Sequence, residues 1–292
     1  YRDNELLLNT TEYSYVDNNI VNLYTENTYS LTATDMHGNE SEAMVSSISF
    51  VVDQIVSIDT LKANLFSLNI MLENDDLSAI VSQDISLIVN DGGEYYYPIY
   101  GVDQIEQFDM SDGYQIMTSS TTPLIFEITG IPIYPESSII LEPYKRNMIS
   151  YLPQNEILIS EVFELYEENI LLVKNDDGYF YSPTDGIDEI ITMYPGEGYY
   201  VYITGESELE FNYNSNGLSR TESSNLLEDE REERTPIHYD IIKNTGVSYP
   251  IIIDELIGEI EVGDELSAYA DNILVGATRI ISLDQALPLI AF

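Results

Sequence analysis

The stretch Gly178-Tyr179-Phe180-Tyr181-Ser182-Pro183-Thr184-Asp185-Gly186-Ile187-Asp188-Glu189-Ile190 echoes, in its turn formers and strand residues, Gly93-Glu94-Tyr95-Tyr96-Tyr97-Pro98-Ile99-Tyr100-Gly101-Val102-Asp103-Gln104-Ile105. The offset is 85 (178 minus 93), and it holds without a gap for residues 90–118 against 175–203. The paired positions include Asn90/Asn175, Asp91/Asp176, Gly93/Gly178, Tyr96/Tyr181, Pro98/Pro183, Gly101/Gly186, Asp103/Asp188, Gly113/Gly198 and Tyr114/Tyr199. Upstream, Asn64-Leu65-Phe66-Ser67-Leu68 answers Asn147-Met148-Ile149-Ser150-Tyr151 at an offset of 83 (147 minus 64). Two copies of one supersecondary unit keep such turn and strand residues while their surfaces diverge. The centre of the chain therefore reads as tandem modules, residues 55–133 and 134–214.

Charge limits what these modules can touch. Ten Lys+Arg against 52 Asp+Glu give a formal net charge of -42 over 292 residues. A polyanion of this kind repels nucleic acid and anionic membranes, so neither is an expected partner. It also repels itself, and its compact state gains from bound cations or from a salty medium that screens charge beyond about 8–10 Å. There is no cysteine, hence no disulfide framework. No apolar run approaches the roughly 18 residues of a membrane span, and the first residues do not resemble a signal peptide.

Before the repeats, the chain alternates like half-buried strands. Tyr29, Leu31 and Ala33 fall on one face of Asn27-Thr28-Tyr29-Ser30-Leu31-Thr32-Ala33-Thr34-Asp35, and a turn at Asp35-Met36-His37-Gly38-Asn39-Glu40-Ser41 follows. Within the second repeat, Ile159, Val162, Phe163 and Tyr166 recur at helical spacing, with a weaker echo at Leu77, Ile80 and Val81 in the first. Strands are expected at 170–173, 179–182, 199–203 and 209–213. Residues 215–236 lose all periodicity and read as an acidic linker. From 237 to 292 strands alternate again, broken by Gly and Asp-Asn turns.

Three resemblances sit on these residues. The Tyr29 strand with its Asp35 to Ser41 hairpin resembles the end of a fibronectin type III domain, which implies a partial domain over residues 1–54 with Tyr29 as its corner tyrosine. The pattern Asn147-x-Ile149-Ser150-Tyr151, a short helix, Val173-x-x-Asp176-Asp177-Gly178 and Pro195-Gly196-x-Gly198-Tyr199 resembles a repeat of large secreted and cell-surface proteins of marine bacteria and of viral proteins. That repeat opens with Gly-Trp-Asn, where this chain has Lys145-Arg146-Asn147 and Lys62-Ala63-Asn64. Gly263-Asp264-Glu265-Leu266 through Asp271-Asn272 to Gly276-Ala277 resembles a secreted β-sandwich module, which implies a partial module over 237–292. The implied fold is mainly β, with β-sandwich-like end domains around two tandem α+β repeat modules. Because both end domains read as partial, a longer parent polypeptide is expected.

Catalytic patterns are missing from this reading. His37 and His238 lie 201 residues apart (238 minus 37) and there is no Cys, so neither a zinc set nor a Cys-His pair is available. No G-x-S-x-G elbow, P-loop or dinucleotide fingerprint occurs. With 52 acids, some carboxylate pair at glycosidase spacing is inevitable and carries no information. Calcium is the candidate cofactor, since hard cations take closely spaced loop carboxylates. The candidate ligands are Asp91, Asp109, Asp112, Asp176, Asp177, Asp185 and Asp188, with ordinary Asx turn chemistry as the alternative. The 24 tyrosines offer a contact surface for partners or glycans through Tyr96, Tyr181, Tyr200 and Tyr202, with sheet packing as its alternative.

The expectation is a non-enzymatic extracellular structural or adhesive protein. It would assemble with copies of itself or neighbouring surface proteins into a layer, filament or virion fibre, with calcium assisting. The alternative is a carbohydrate-binding accessory segment of a secreted polysaccharide-degrading enzyme.

Overall fold

The structure, a computed structural model, describes residues 1–12, 14, 16–17, 24, 26–72, 84–213, 234–240 and 246–292. Mainly β, it pairs its strands antiparallel throughout the described residues. Strands β1 (Asn27–Leu31) and β2 (Met44–Ile48) form the first hairpin. Asp35 builds its turn by accepting from the amides of His37 and Asn39, and Gly38 takes a left-handed φ of 86°. The half-buried alternation expected here is not found: Leu31 and all of β2 are exposed, because a two-stranded ribbon has no second layer of its own to bury against. The Tyr29 hydroxyl donates to the Asp17 carboxylate at 3.1 Å, where a tyrosine corner would use a backbone carbonyl.

The first repeat supplies β3 (Val52–Ile58), β4 (Asn64–Phe66), β5 (Ile70–Met71), β6 (Ile85–Val89), β7 (Tyr95–Tyr97), β8 (Val102–Asp103), β9 (Tyr114–Thr118) and β10 (Leu124–Pro132). The second supplies β11 (Ile139–Leu141), β12 (Asn147–Ser150), β13 (Ile157–Leu158), helix α1 (Ile159–Phe163), β14 (Ile170–Lys174), β15 (Phe180–Ser182), β16 (Ile187–Asp188), β17 (Thr192–Met193), β18 (Gly198–Ile203) and β19 (Leu209–Phe211). The helix forms where its apolar spacing predicts, and Ile159, Val162 and Phe163 are buried. Its counterpart around Leu77, Ile80 and Val81 lies outside the described residues, as does most of the expected linker.

Both repeats make a five-stranded sheet in the same order, β4-β9-β6-β7-β8 and β12-β18-β14-β15-β16. Register agrees as well: Asn64 faces Ile116 as Asn147 faces Val201, and Tyr96 faces Asp103 as Tyr181 faces Asp188. Even an irregularity recurs, between Ile85 and Leu87 and again between Ile170 and Leu172. Over each sheet lies a second layer. In β3–β10 Val56 opposes Phe126, and in β11–β19 Ile139 opposes Phe211. The strand alternation sends one side of each sheet into this layer. Two separate cores result, one around Ile58, Phe66, Ile88, Tyr114 and Ile116, the other around Leu141, Tyr151, Phe163, Tyr199 and Phe211.

One buried asparagine ties each sheet to the loop before it. The Asn147 side chain accepts from the Glu142 amide at 2.8 Å and donates to the carbonyls of Glu142, Lys145 and Val201. Asn64 does the same with Asp59, Lys62 and Ile116. An amide carries both the donors and the acceptor such a loop requires, which no other uncharged side chain except glutamine offers.

The C-terminal unit has β20 (Tyr249–Ile253) paired with β23 (Leu287–Ala291), and β21 (Glu265–Ala270) paired with β22 (Ile273–Arg279). Asp271 and Asn272 join the latter pair with φ of 48° and 70°, the doubly left-handed turn that short hairpins favour. This unit covers the outer face of the second sheet, placing Ile252, Ala286 and Ile290 on Leu172, Phe180 and Ile187. The buried Lys174 ammonium donates to the Ser248 carbonyl at 2.6 Å, and burial lowers its pKa to about 8.

Replacing Asn147 with Ala removes four hydrogen bonds and leaves buried backbone groups unpaired. The expected loss is about 2–4 kcal/mol of unfolding free energy, read from urea denaturation.

Candidate functional site

The two repeats meet through their edges, and the contacts occur twice with the roles exchanged. Strands β4 and β12 are the end strands of their sheets, so each presents unpaired backbone groups. Phe66 on β4 bridges to Glu197, just ahead of β18, while Ile149 on β12 bridges to Asp112, just ahead of β9. Ser67 donates its amide to the Gly196 carbonyl at 3.0 Å, and Ser150 donates its amide to the Ser111 carbonyl at 3.1 Å. The Ser67 hydroxyl reaches the Glu197 carbonyl at 2.6 Å, as the Ser150 hydroxyl reaches that of Asp112 at 3.0 Å. This is the self-complementary geometry of a two-fold dimer, made within one chain.

Carboxylates complete the exchange. Asp176 accepts from the Leu65 amide at 3.2 Å, and Asp91 accepts from the Met148 amide at 2.7 Å. Lys62 lies 3.1 Å from Asp176 and 2.6 Å from Asp177, while Lys145 lies 2.8 Å from Asp91. At the centre Leu65, Met148 and Tyr200 form a small apolar cluster, and the Arg146 guanidinium sits 4.4 Å from the Tyr200 ring centroid. Glycine is required where the strands cross. A Cβ on Gly113 would stand 2.7 Å from the Ile149 carbonyl oxygen, and one on Gly198 would stand 2.9 Å from that of Phe66.

Burial at the crossings shifts acids upward. For Asp112, burial together with the Asp109, Asp91 and Glu94 charges outweighs Lys145 and pushes the carboxyl up to about 7. Glu197 is raised to about 6, first by burial and then by Asp176 and Asp177, against the Tyr199 hydrogen bond and Lys62. Glu197 is exposed as a residue, and the hydrogen bond its carboxylate accepts from the buried Tyr199 hydroxyl opposes the rise; the upward direction rests on burial of the carboxyl and on the Asp176 and Asp177 charges. Burial also raises Asp176, with Lys62 opposing. It works against the charge on Lys62, yet Asp176 and Asp177 prevail and raise that pKa.

The expected calcium ligands are thus spread over three places. Asp91, Asp109 and Asp112 come together at one crossing, where Asp91 is engaged by Lys145 and Asp109 accepts from the amide and hydroxyl of Ser111. Asp176 and Asp177 meet Lys62 at the other, while Asp185 accepts from the Ser182 hydroxyl and Asp188 sits on β16. Among the described residues no group of three or more His, Cys, Asp or Glu side chains could hold a metal ion. The tyrosines divide by strand face. Tyr96 packs on the first core, Tyr181 is buried and stacks on Phe163, Tyr200 is buried in the junction, and Tyr202 is half-buried between the junction and the C-terminal unit. Tyr181 and Tyr200 therefore act as packing residues in this chain, because both faces of their sheet are covered.

The junction itself is absent from the sequence reading. Its signal was available, since Lys62/Lys145 and Ser67/Ser150 are identities at the same offset of 83 as Asn64/Asn147. No family model, curated protein or solved structure matches the chain.

Gly113→Ala is expected to cost about 1–3 kcal/mol, because the obstacle is backbone and cannot turn aside; urea midpoints measure it. Asp112 has a folded pKa above its ordinary value of 3.8, so its contribution to stability is most favourable at low pH and declines as pH rises from about 4 to about 7. Asp112→Asn should flatten that decline and, after allowance for partial solvent screening, stabilise the chain by about 1 kcal/mol at pH 8.

Proposed function

We propose that this chain is a non-enzymatic, extracellular structural and adhesive segment that associates with copies of itself or with neighbouring surface proteins. The reciprocal junction carries this reading. Two repeats locked by edge pairing, paired salt bridges and a shared apolar centre make a stiff double unit, as a load-bearing spacer requires. Loosely linked domains would leave the two sheet edges open. The junction carboxylates Asp91 and Asp176 are each engaged by a lysine and a backbone amide of the partner repeat. Their burial serves the joint between repeats.

The net charge of -42 sets the condition for association. At low ionic strength like charges hold copies apart, whereas salt or calcium lowers that repulsion and lets apolar surfaces meet. A saline, calcium-containing exterior such as a cell or virion surface suits this behaviour.

Sedimentation velocity is the test. Species larger than the monomer are expected at seawater-like ionic strength with calcium, and chelation together with low salt should return them to monomer. A monomer under every one of these conditions would remove the self-associating reading.

A further inference from the structure

The duplicated sheets differ on their outer faces. On the second, Leu172, Phe180 and Ile187 are covered by the C-terminal unit. The corresponding positions of the first, 85 residues earlier, are Leu87, Tyr95 and Val102, equally apolar in type. Yet Tyr95 is 37% exposed, and Met117, the counterpart of Tyr202, is 39% exposed. The adjoining turn has changed in the same sense. Where the second repeat has Thr184-Asp185, the first has Ile99-Tyr100, which are 78% and 71% exposed. A turn facing water has no need of isoleucine and tyrosine, and an exposed apolar cluster beside a sheet face marks a contact surface. Residues 95–102, Tyr-Tyr-Tyr-Pro-Ile-Tyr-Gly-Val, contain no charge in a chain with 52 acids.

A matching surface lies on the C-terminal unit. Residues 246–253, Gly-Val-Ser-Tyr-Pro-Ile-Ile-Ile, are also free of charge. Along β20 the inward Ile252 covers the second sheet, while Tyr249 and Ile251, on the opposite face by strand alternation, are 72% and 36% exposed. One side of this strand already seats on a repeat sheet; on the other, Tyr249 and Ile251 remain exposed at the rim, although their cross-strand partners Ala291 and Leu289 are buried. Copies carrying -42 can approach closely only where neither surface is charged.

Resting on the self-associating reading above, we infer that the open face of the first sheet, at Tyr95, Tyr100 and Met117, receives the Tyr249–Ile251 side of β20 from a second copy of this chain. The two surfaces are different, so the contact is head-to-tail: every assembly keeps one free surface of each kind at its two ends, and association continues into an open chain. Apolar burial drives it, and screening of charge permits it.

The test uses the full chain in about 1 M salt, where the screening length falls to about 3 Å. Wild type should sediment as species beyond the dimer that grow with concentration. Tyr100→Glu and Tyr249→Glu, both at highly exposed positions, should each be monomeric with urea midpoints near that of wild type. An equimolar mixture of the two should form a dimer and nothing larger, because one intact surface of each kind remains. A mixture that stays monomeric overturns the head-to-tail contact. Assembly that ignores both substitutions overturns these surfaces while leaving self-association standing, and a wild type that never assembles removes both readings.

Discussion

The end strands β4 and β12 impose the constraint on which the rest of the structure depends. Each belongs to a sheet of only five strands, and each carries backbone donors and acceptors on its open side. Such an edge either finds a partner or recruits another chain. Here each repeat covers the other's edge, with Asp91 and Asp176 taking amides that a neighbouring strand would otherwise take. A side-chain carboxylate can cap an edge without continuing the sheet, so the pairing stops at two repeats.

Capping by carboxylates brings its own requirement. A partly buried acid loses hydration and must recover that energy from hydrogen bonds and a counter-charge. The chain has ten Lys+Arg in all, and Lys62, Lys145, Arg146 and Lys174 stand at the junction or beneath the C-terminal unit. Scarce cations are placed where acids are least hydrated. Elsewhere among the described residues Arg2 pairs with Asp17 and Arg234 with Glu189, and exposed acids are left to water and salt, so a large net charge coexists with packed cores.

Much of this was legible in the letters. The offset of 85 aligns turn formers, and turn formers fix where strands end, so the second repeat's strands fall within a residue or two of expectation. The helix followed from Ile159, Val162 and Phe163, whose spacing leaves no other way to bury all three. The junction was hidden because Asp91 and Asp176 also satisfy turn chemistry, and a letter does not say whether a carboxylate caps its own loop or a neighbour's strand. Tyr200 misled for a related reason. Alternation correctly sends it away from the repeat's own core, but only the fold reveals that the far side is occupied by Leu65 and Met148. The N-terminal ribbon shows the reverse error, since alternation at Tyr29 and Leu31 marks a face able to be buried without supplying the layer to bury it.

Duplication made the junction symmetric, but it could not make the outer faces so. One C-terminal unit exists for two sheets, and it covers the second. Position by position the sequence has followed that inequality: Lys174, which reaches the Ser248 carbonyl beneath the covering unit, corresponds to Val89, and the polar Thr184-Asp185 turn corresponds to Ile99-Tyr100. An exposed sheet face left to drift is expected to gain polar residues, because apolar side chains there gain nothing from contact with water. At Val89, Ile99 and Tyr100 the first copy is apolar where the second has Lys174, Thr184 and Asp185, although Gln115 stands where the second has Tyr200. A two-fold pair with unlike outer faces cannot close on itself, so whatever meets the first face must come from outside the pair.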